Sequence, residues 1–291
     1  MRLLGEPRQY RCSWFYRLQL FELERKVEER MKGGVLKIVV GMRQLADLVE
    51  ELEVADSQVD IDRDFVKFVS NEWDEAALEE ALLIKESVGG EVVVVALDEP
   101  DVDQTLYSAI AKGADRAVKI VGVEEGWTPT RVRAQLLAKW LESESDWDAF
   151  FTGVQAADDL DGQLAGLVGS TLGIPHAAVV SKAEPQGSSL RITQEIGGGT
   201  LAESVATGKV VLGIQAGRQA PRYAPITRIR QAMSSSSIET FEAQDIDEGV
   251  GPKVRKLYPP ESKGQATMLE GDPVEVAEKI VELIRAKGLI R

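Results

Sequence analysis

The chain has 291 residues, 44% of them hydrophobic, and its 34 basic against 48 acidic side chains leave a formal net charge of −14. That balance speaks against a nucleic-acid partner, which needs clustered Lys and Arg to neutralise phosphates. A single Cys12 and a single His176 exclude a disulfide framework, a cysteine-ligated zinc or iron–sulfur site and a histidine-rich metal centre. No apolar run approaches the roughly 20 residues that cross a bilayer, so no membrane insertion is expected.

Residues 1–34 read as an N-terminal extension, either an arm or a start-site artefact ahead of Met31. Leu18, Leu20, Phe21, Leu23 and Val27 suit a short amphipathic helix, while Glu22, Glu24, Glu28 and Glu29 count against a mitochondrial leader. From residue 35 to 215 the pattern predicts one nucleotide-binding α/β domain. Leu36 to Gly41 reads as a buried strand and Phe65 to Val69 as a half-exposed one. Trp73 to Val88 is helical by the spacing of Ala77, Ala81 and Ile84. Asn71 suits its N-cap and Gly89-Gly90 its end. Glu91 to Leu97 is a Val-rich strand. Val102 to Lys112 is a helix, Ala117 to Val121 a strand, and Pro129 opens another helix to about Glu144. Asp148 to Gly153 is a strand and Asp161 to Leu172 a helix closed by Gly173. Strands alternating with three-turn helices predict a doubly wound, mostly parallel sheet covered on both faces.

After Pro175 four short strands (His176 to Ala183, Leu190 to Ile196, Thr200 to Ala206, Lys209 to Gln215) suggest an antiparallel extension of the sheet, or strands that complete it, with Gly197-Gly198-Gly199 as a hairpin turn. Residues 216–291 read as a partner-binding loop and C-terminal arm. This part is mostly irregular, with a short helix from Ile226 to Met233 and a terminal amphipathic helix opened by Pro273.

No Ser-His-Asp or Cys-His set, dinucleotide fingerprint or triphosphate loop is present. The candidate constellation is the strand-to-helix segment Gly153, Val154, Gln155, Ala156, Ala157, Asp158, Asp159, Leu160, Asp161, Gly162 and Gln163. Ligands of open α/β sheets bind at such strand ends, and the amides of a helix beginning near Asp161 could hold an anion. Asp158, Asp159 and Asp161 also fit helix caps, and no metal is assigned to them. The Asn71 to Asp74 turn likewise leads from a strand into a helix, so two such turns could converge on one nucleotide.

At these residues the chain from Leu36 onward resembles the β subunit of an electron transfer flavoprotein (ETF). The resemblance lies in Ser70-Asn71-Glu72-Trp73-Asp74-Glu75 and the following helix, in Ala111-Lys112-Gly113-Ala114-Asp115-Arg116, in Gly153-x-Gln155-Ala156-x-Asp158-Asp159, and in Ala220-Pro221-Arg222-Tyr223-Ala224-Pro225-Ile226. It implies a fold of the adenine-nucleotide α-hydrolase-like type and an electron-carrier subunit with no catalytic residue of its own. It also implies a heterodimer with an α subunit that holds most of the FAD. Electrons would pass from flavin-containing dehydrogenases to a quinone reductase or another acceptor, in the cytoplasm or, in a eukaryote, the mitochondrial matrix.

By the same resemblance Gly41, Asn71, Glu72, Trp73, Asp74, Leu97 and the segment Gly153 to Leu164 surround an adenine nucleotide in this chain. Trp73 would approach the partner's flavin or simply cover the core. Arg222 and Tyr223 belong to the partner-binding loop, and Ile226 takes the position of a leucine that anchors dehydrogenases. Gly162 and Leu164 stand where AMP-binding members carry Asn and Thr, as in members that bifurcate electrons from NADH through a second FAD. Asp159 matches the AMP pattern instead, so AMP or a second FAD stays open. Two other readings are a nucleotide-hydrolysing or adenylating enzyme and a regulatory module resembling universal stress proteins.

Overall fold

The computed structural model describes residues 36–49, 51–64, 66–122, 126–144, 146–159, 161–187, 189–243, 253–259 and 268–290. The expected helix within the first thirty residues, and Leu160 of the candidate segment, lie outside them.

Strands β1 (Lys37–Met42), β4 (Glu91–Leu97), β5 (Arg116–Val121), β6 (Ala149–Gly153) and β10 (Val210–Ile214) form the parallel centre of a nine-stranded sheet. Its order is β11-β5-β4-β1-β6-β10-β7-β8-β9, where β7 is His176–Gln186, β8 Ser189–Glu195, β9 Leu201–Thr207 and β11 Glu239–Glu242. Val92, Val93, Val94 and Val95 of β4 are fully buried, because helices cover both faces. Burying each such side chain contributes about 1.5–3 kcal/mol. Helices α1 (Glu72–Val88) and α2 (Val102–Lys112) pack on one face, with Leu78, Leu82 and Leu106 against Ile38 and Val40. Helices α3 (Thr130–Ser143) and α4 (Leu164–Leu172) pack on the other, with Leu136, Trp140 and Val168 around Val39 and Phe150. The doubly wound, mostly parallel architecture expected from the alternation of elements is therefore present.

The antiparallel extension is present in β7, β8 and β9, and Ile196 N donates to Thr200 O across the glycine turn. The last of the four expected strands follows the other alternative and completes the main sheet. β10 runs parallel between β6 and β7, inside the sheet, because all five of its residues are buried. β11 was not signalled: it is a four-residue strand with three exposed positions, paired with β5 and, among the described residues, at the edge of the sheet. The strand expected over residues 65–69 is shorter. β3 (Phe68–Ser70) joins β2 (Gln44–Ala46) in a separate two-stranded sheet, and Phe65 lies outside the described residues.

Helix α4 begins at Leu164 rather than Asp161, since Gly162 sits at φ +58°, outside helical space. Helix α5 (Ile226–Ser235) opens after Pro225. In α6 (Pro273–Ala286) the Asp272 carboxylate accepts from Val274 N and Glu275 N, an N-cap ahead of Pro273. No side chain of α6 is buried. Among the described residues no helix is long and apolar enough to cross a membrane.

Candidate functional site

Strands β1, β4 and β6 end at the same edge of the sheet, and the start of α1 is seated directly on the end of β6. Gly153 N donates to Asp74 Oδ1 at 2.7 Å. A Cβ at Gly153 would lie 2.6 Å from Asp74 Oδ1, 2.7 Å from Trp73 Cβ and 2.9 Å from Asp74 N, so only glycine permits this approach. Burial pushes the Asp74 carboxyl up to about 7, against the opposing pull of Arg43 and the Gly153 amide. Asn71 occupies the N-cap position of α1, but its side chain does not cap the helix. Its Nδ2 instead donates to Gln155 O at 2.9 Å, tying the two strand-to-helix turns together. Asn71 Oδ1 and Ser70 Oγ are buried without a partner among the described residues.

Beyond Gly153 the segment is held largely by its own carboxylates. Val154 N donates to Ile214 O at 2.8 Å and Asp159 N to Ala156 O at 3.0 Å. Asp159 Oδ1 accepts from Asp161 N at 3.2 Å and Gly162 N at 3.0 Å, and Asp161 Oδ1 from Gln163 N at 3.4 Å. The amides expected to receive a ligand anion are thus engaged by the chain itself. Burial, with Asp161 alongside, raises the pKa of Asp159, while the hydrogen bond with Asp159 lowers that of Asp161. The buried Arg43 reaches Asp158 Oδ1 at 2.7 Å and lies 3.8 Å from Asp159 Oδ2, and Trp127 Nε1 donates to Asp158 O at 3.0 Å.

A cavity of about 580 Å³ opens beside this segment. Ala157, Asp158 and Asp161 line it with Glu99, Trp127 and Thr130, and Lys253 and Leu257 come from the C-terminal part of the chain. Leu257 N donates to Gln58 O at 2.7 Å, fixing that part to the loop between β2 and β3. Glu72 and Trp73 line a different, more open cleft of about 850 Å³ together with Arg222 and Tyr223. The residues singled out in the sequence therefore divide. Gly41, Asn71, Asp74, Leu97, Gly153 and Leu164 lie beneath these surfaces: Leu97 and Leu164 are core side chains, and a Cβ at Gly41 would meet Phe150 Cζ at 3.0 Å. Val154, Gln155, Ala156, Gly162 and Gln163 carry the connecting turn. Among the described residues no cluster of three His, Cys, Asp or Glu is arranged to hold a metal ion.

The loop after β10 is fastened by two adjacent buried glutamates of α1. Glu80 Oε1 accepts from Arg218 Nε at 2.9 Å and from Ala183 N at 2.8 Å. Glu79 receives Arg222 through Nη2 at 2.8 Å, Nε at 2.9 Å and the backbone amide at 3.0 Å. Burial would raise the pKa of Glu79, but the Arg222 and Gln219 hydrogen bonds overcome it and hold the carboxyl below its ordinary value. Held this way, the loop presents Tyr223 at 80% exposure and Ile226 at 60%, so Ile226 is not a core residue. Sequence reasoning assigned no role to Glu79, Glu80 or Arg43, nor to the buried pair Glu99 and Arg133. For Glu79, Glu80 and Arg133 the available signal was charge at helix positions that face the core; Arg43 and Glu99, on loops, gave none.

A family model described as "Electron transfer flavoprotein domain" matches residues 60–246. The electron transfer flavoprotein subunit beta of Methylophilus methylotrophus is 38% identical over 261 residues, covering 86% of this chain and 98% of that protein. Proteins of the same name from Dictyostelium discoideum and Mus musculus are each 29% identical, over 258 and 259 residues, covering 88% of this chain and 99% of their own length.

Proposed function

The chain belongs to the electron transfer flavoprotein family as a beta subunit, and from that premise we propose that it binds AMP in the 580 Å³ cavity and docks flavin-containing dehydrogenases through Ile226. The observation that carries the nucleotide reading is the cavity itself. It sits at the carboxyl ends of parallel strands, where open α/β sheets take their ligands, and its volume lies within the roughly 300–1,000 Å³ of small-molecule sites. Ala157, Asp158 and Asp161 would touch the nucleotide. Gly41, Asn71, Asp74, Leu97, Gly153 and the rest of the turn through Leu164 would hold the wall in shape.

The redox flavin would belong mainly to the α subunit of a heterodimer. Exposed apolar side chains on β9 (Leu201, Val205) and α6 (Val274, Ile280, Leu283) suit that partner. Tyr223, exposed on a loop that Arg218 and Arg222 fasten to α1, and Ile226, exposed at the start of α5, suit brief docking of a dehydrogenase, with a quinone reductase or similar acceptor taking the electrons. A small apolar anchor gives weak binding and quick release. A second FAD in place of AMP is the competing reading, favoured by Gly162 and Leu164 and consistent with bifurcation from NADH.

Co-purification with an α subunit and a count of released flavin and AMP tests the proposal. One FAD and one AMP per heterodimer is the expected result, whereas two FAD without AMP overturns the AMP reading. An Ile226→Ser complex should keep its cofactors and accept electrons more slowly from the dehydrogenase. Unchanged transfer removes Ile226 from the docking surface.

A further inference from the structure

Two charged residues at the cavity stand outside everything assigned above. Glu99 follows the end of β4 and lines the cavity, its side chain 13% exposed. Behind it Arg133, in the first turn of α3, is 2% exposed and pairs with Glu99 Oε1 through Nη2. Glu99 Oε2 accepts from Gln44 N at 3.3 Å. Gln44 is itself fixed, its Oε1 accepting from Thr105 Oγ1 at 2.8 Å and its Nε2 donating to Asp101 O at 3.2 Å.

The two other donor atoms of Arg133, Nε and Nη1, are buried with no partner among the described residues. A guanidinium buried on one hydrogen bond to a single carboxylate is a poor device for stability, because desolvation consumes most of the attraction. It is an effective device for orientation. Glu99 is gripped from behind at both oxygens, so it cannot turn, and its remaining lone pairs are acceptors only. Asp158 and Asp161 add negative charge to the same wall. Asp158 is already paired with Arg43, and Arg63 and Lys253 line the same cavity, so a phosphate has cations to meet there, while the remaining lone pairs of Glu99 suit a neutral hydroxyl donor.

We propose that Glu99, oriented by Arg133 as a positioning residue, accepts hydrogen bonds from the ribose hydroxyls of the bound adenine nucleotide and makes the site selective for an unmodified ribose. The inference rests on the nucleotide reading above and adds its selectivity. An acidic side chain at a strand end reads ribose hydroxyls in the same way in dinucleotide folds. A site that hydrogen-bonds a hydroxyl also rejects analogues lacking it, since the buried acceptor is left unmatched.

The test is calorimetric titration of the nucleotide-stripped heterodimer with AMP, 2′-deoxy-AMP, 3′-deoxy-AMP and IMP. AMP should bind about 10- to 100-fold more tightly than at least one deoxy analogue, the worth of a hydrogen bond to a charged group. Glu99→Gln should shrink that ratio. The double variant Glu99→Leu/Arg133→Met removes the buried pair for apolar side chains of similar size, a change that folds tolerate, and it should abolish the ratio. Arg133→Lys keeps the charge but loses the planar fork. It should lower the ratio while IMP and AMP stay matched, a readout that a purely structural role would not move. Equal binding of AMP and both deoxy analogues by the unmodified complex overturns the inference alone. So does a ratio that survives the double variant, or a loss that falls on IMP, which would place Glu99 at the base. Absence of any AMP binding overturns the nucleotide reading and this inference with it.

Discussion

Gly153→Ala is the most direct probe of how the site is assembled. The added methyl would stand 2.6–2.9 Å from Asp74 Oδ1, Trp73 Cβ and Asp74 N, and two of these atoms belong to main chain or Cβ positions that no rotamer change can move. The start of α1 must therefore lift off the end of β6. Overpacking of this kind costs about 1–3 kcal/mol. Straining the 2.7 Å bond from Gly153 N to the buried Asp74 adds about 1–3 kcal/mol more. The sum is roughly 2–6 kcal/mol, which for a domain of this size lowers Tm by roughly 4–24 °C. Thermal unfolding of the α-subunit complex, followed by circular dichroism and paired with a count of retained AMP, reads both consequences. The variant should lose stability and nucleotide together, since the displaced helix carries Asn71 and its bond to Gln155 O. A Tm within about 1 °C of the parent, with AMP retained, refutes the seating of α1 on β6.

Two further outcomes follow from the same geometry. The Asp74 carboxyl has its pKa raised from 3.8 to about 7 by burial, so the folded state prefers it protonated; its stabilising contribution is complete below 3.8 and is lost as pH rises through about 7. The difference amounts to about 4 kcal/mol. Asp74→Asn keeps an acceptor for Gly153 N without a titrating group, so its unfolding free energy should exceed the parent's at about pH 8, with the gap closing toward about pH 4; parallel pH profiles refute this. In α4, Gly166→Ala meets His176 only at 3.8 Å and should gain up to about 1 kcal/mol of helix propensity. Gly169→Ala meets His176 at 2.7–2.9 Å and should lose about 1–3 kcal/mol. Urea midpoints that shift alike for the two would contradict the described packing of α4 on β7.

The alternation of Val-rich strands and amphipathic helices was readable because each element faces one core and its own residues set its period. β10 was readable as a strand, but whether it extends or completes the sheet was left open, since five buried residues specify burial without naming neighbours. β11 and β2 were hidden because three or four residues, partly polar, carry no period at all. Asn71 has the chemistry of a cap, and only the fold reveals that Gln155 claims its side chain. At the site, small residues and turns announced Gly153 and the segment after it. Arg43, Glu99 and Arg133 were invisible because a charged residue normally faces water, and its burial depends on partners far away in sequence: Glu99, on the loop after β4, meets Arg133 in the first turn of α3. Glu79 and Glu80 escaped for the same reason, their arginines lying far beyond them at Arg218 and Arg222.

The place of β10 has a consequence for the order in which a nascent chain can close. β6 leaves the ribosome with Phe150 and Phe151 on it and one hydrogen-bonding edge open, and the strand that completes this edge is not made until residues 154–209 have followed. β7 emerges first, although its place is beyond β10. At ordinary elongation rates the interval lasts several seconds, during which an apolar strand edge is available to the wrong partner. A chain cut short before Val210 would keep two such edges permanently, with the hairpins β7 to β9 joined to the sheet by no strand pairing. Early termination or proteolysis in that stretch should therefore yield aggregates rather than a smaller folded unit.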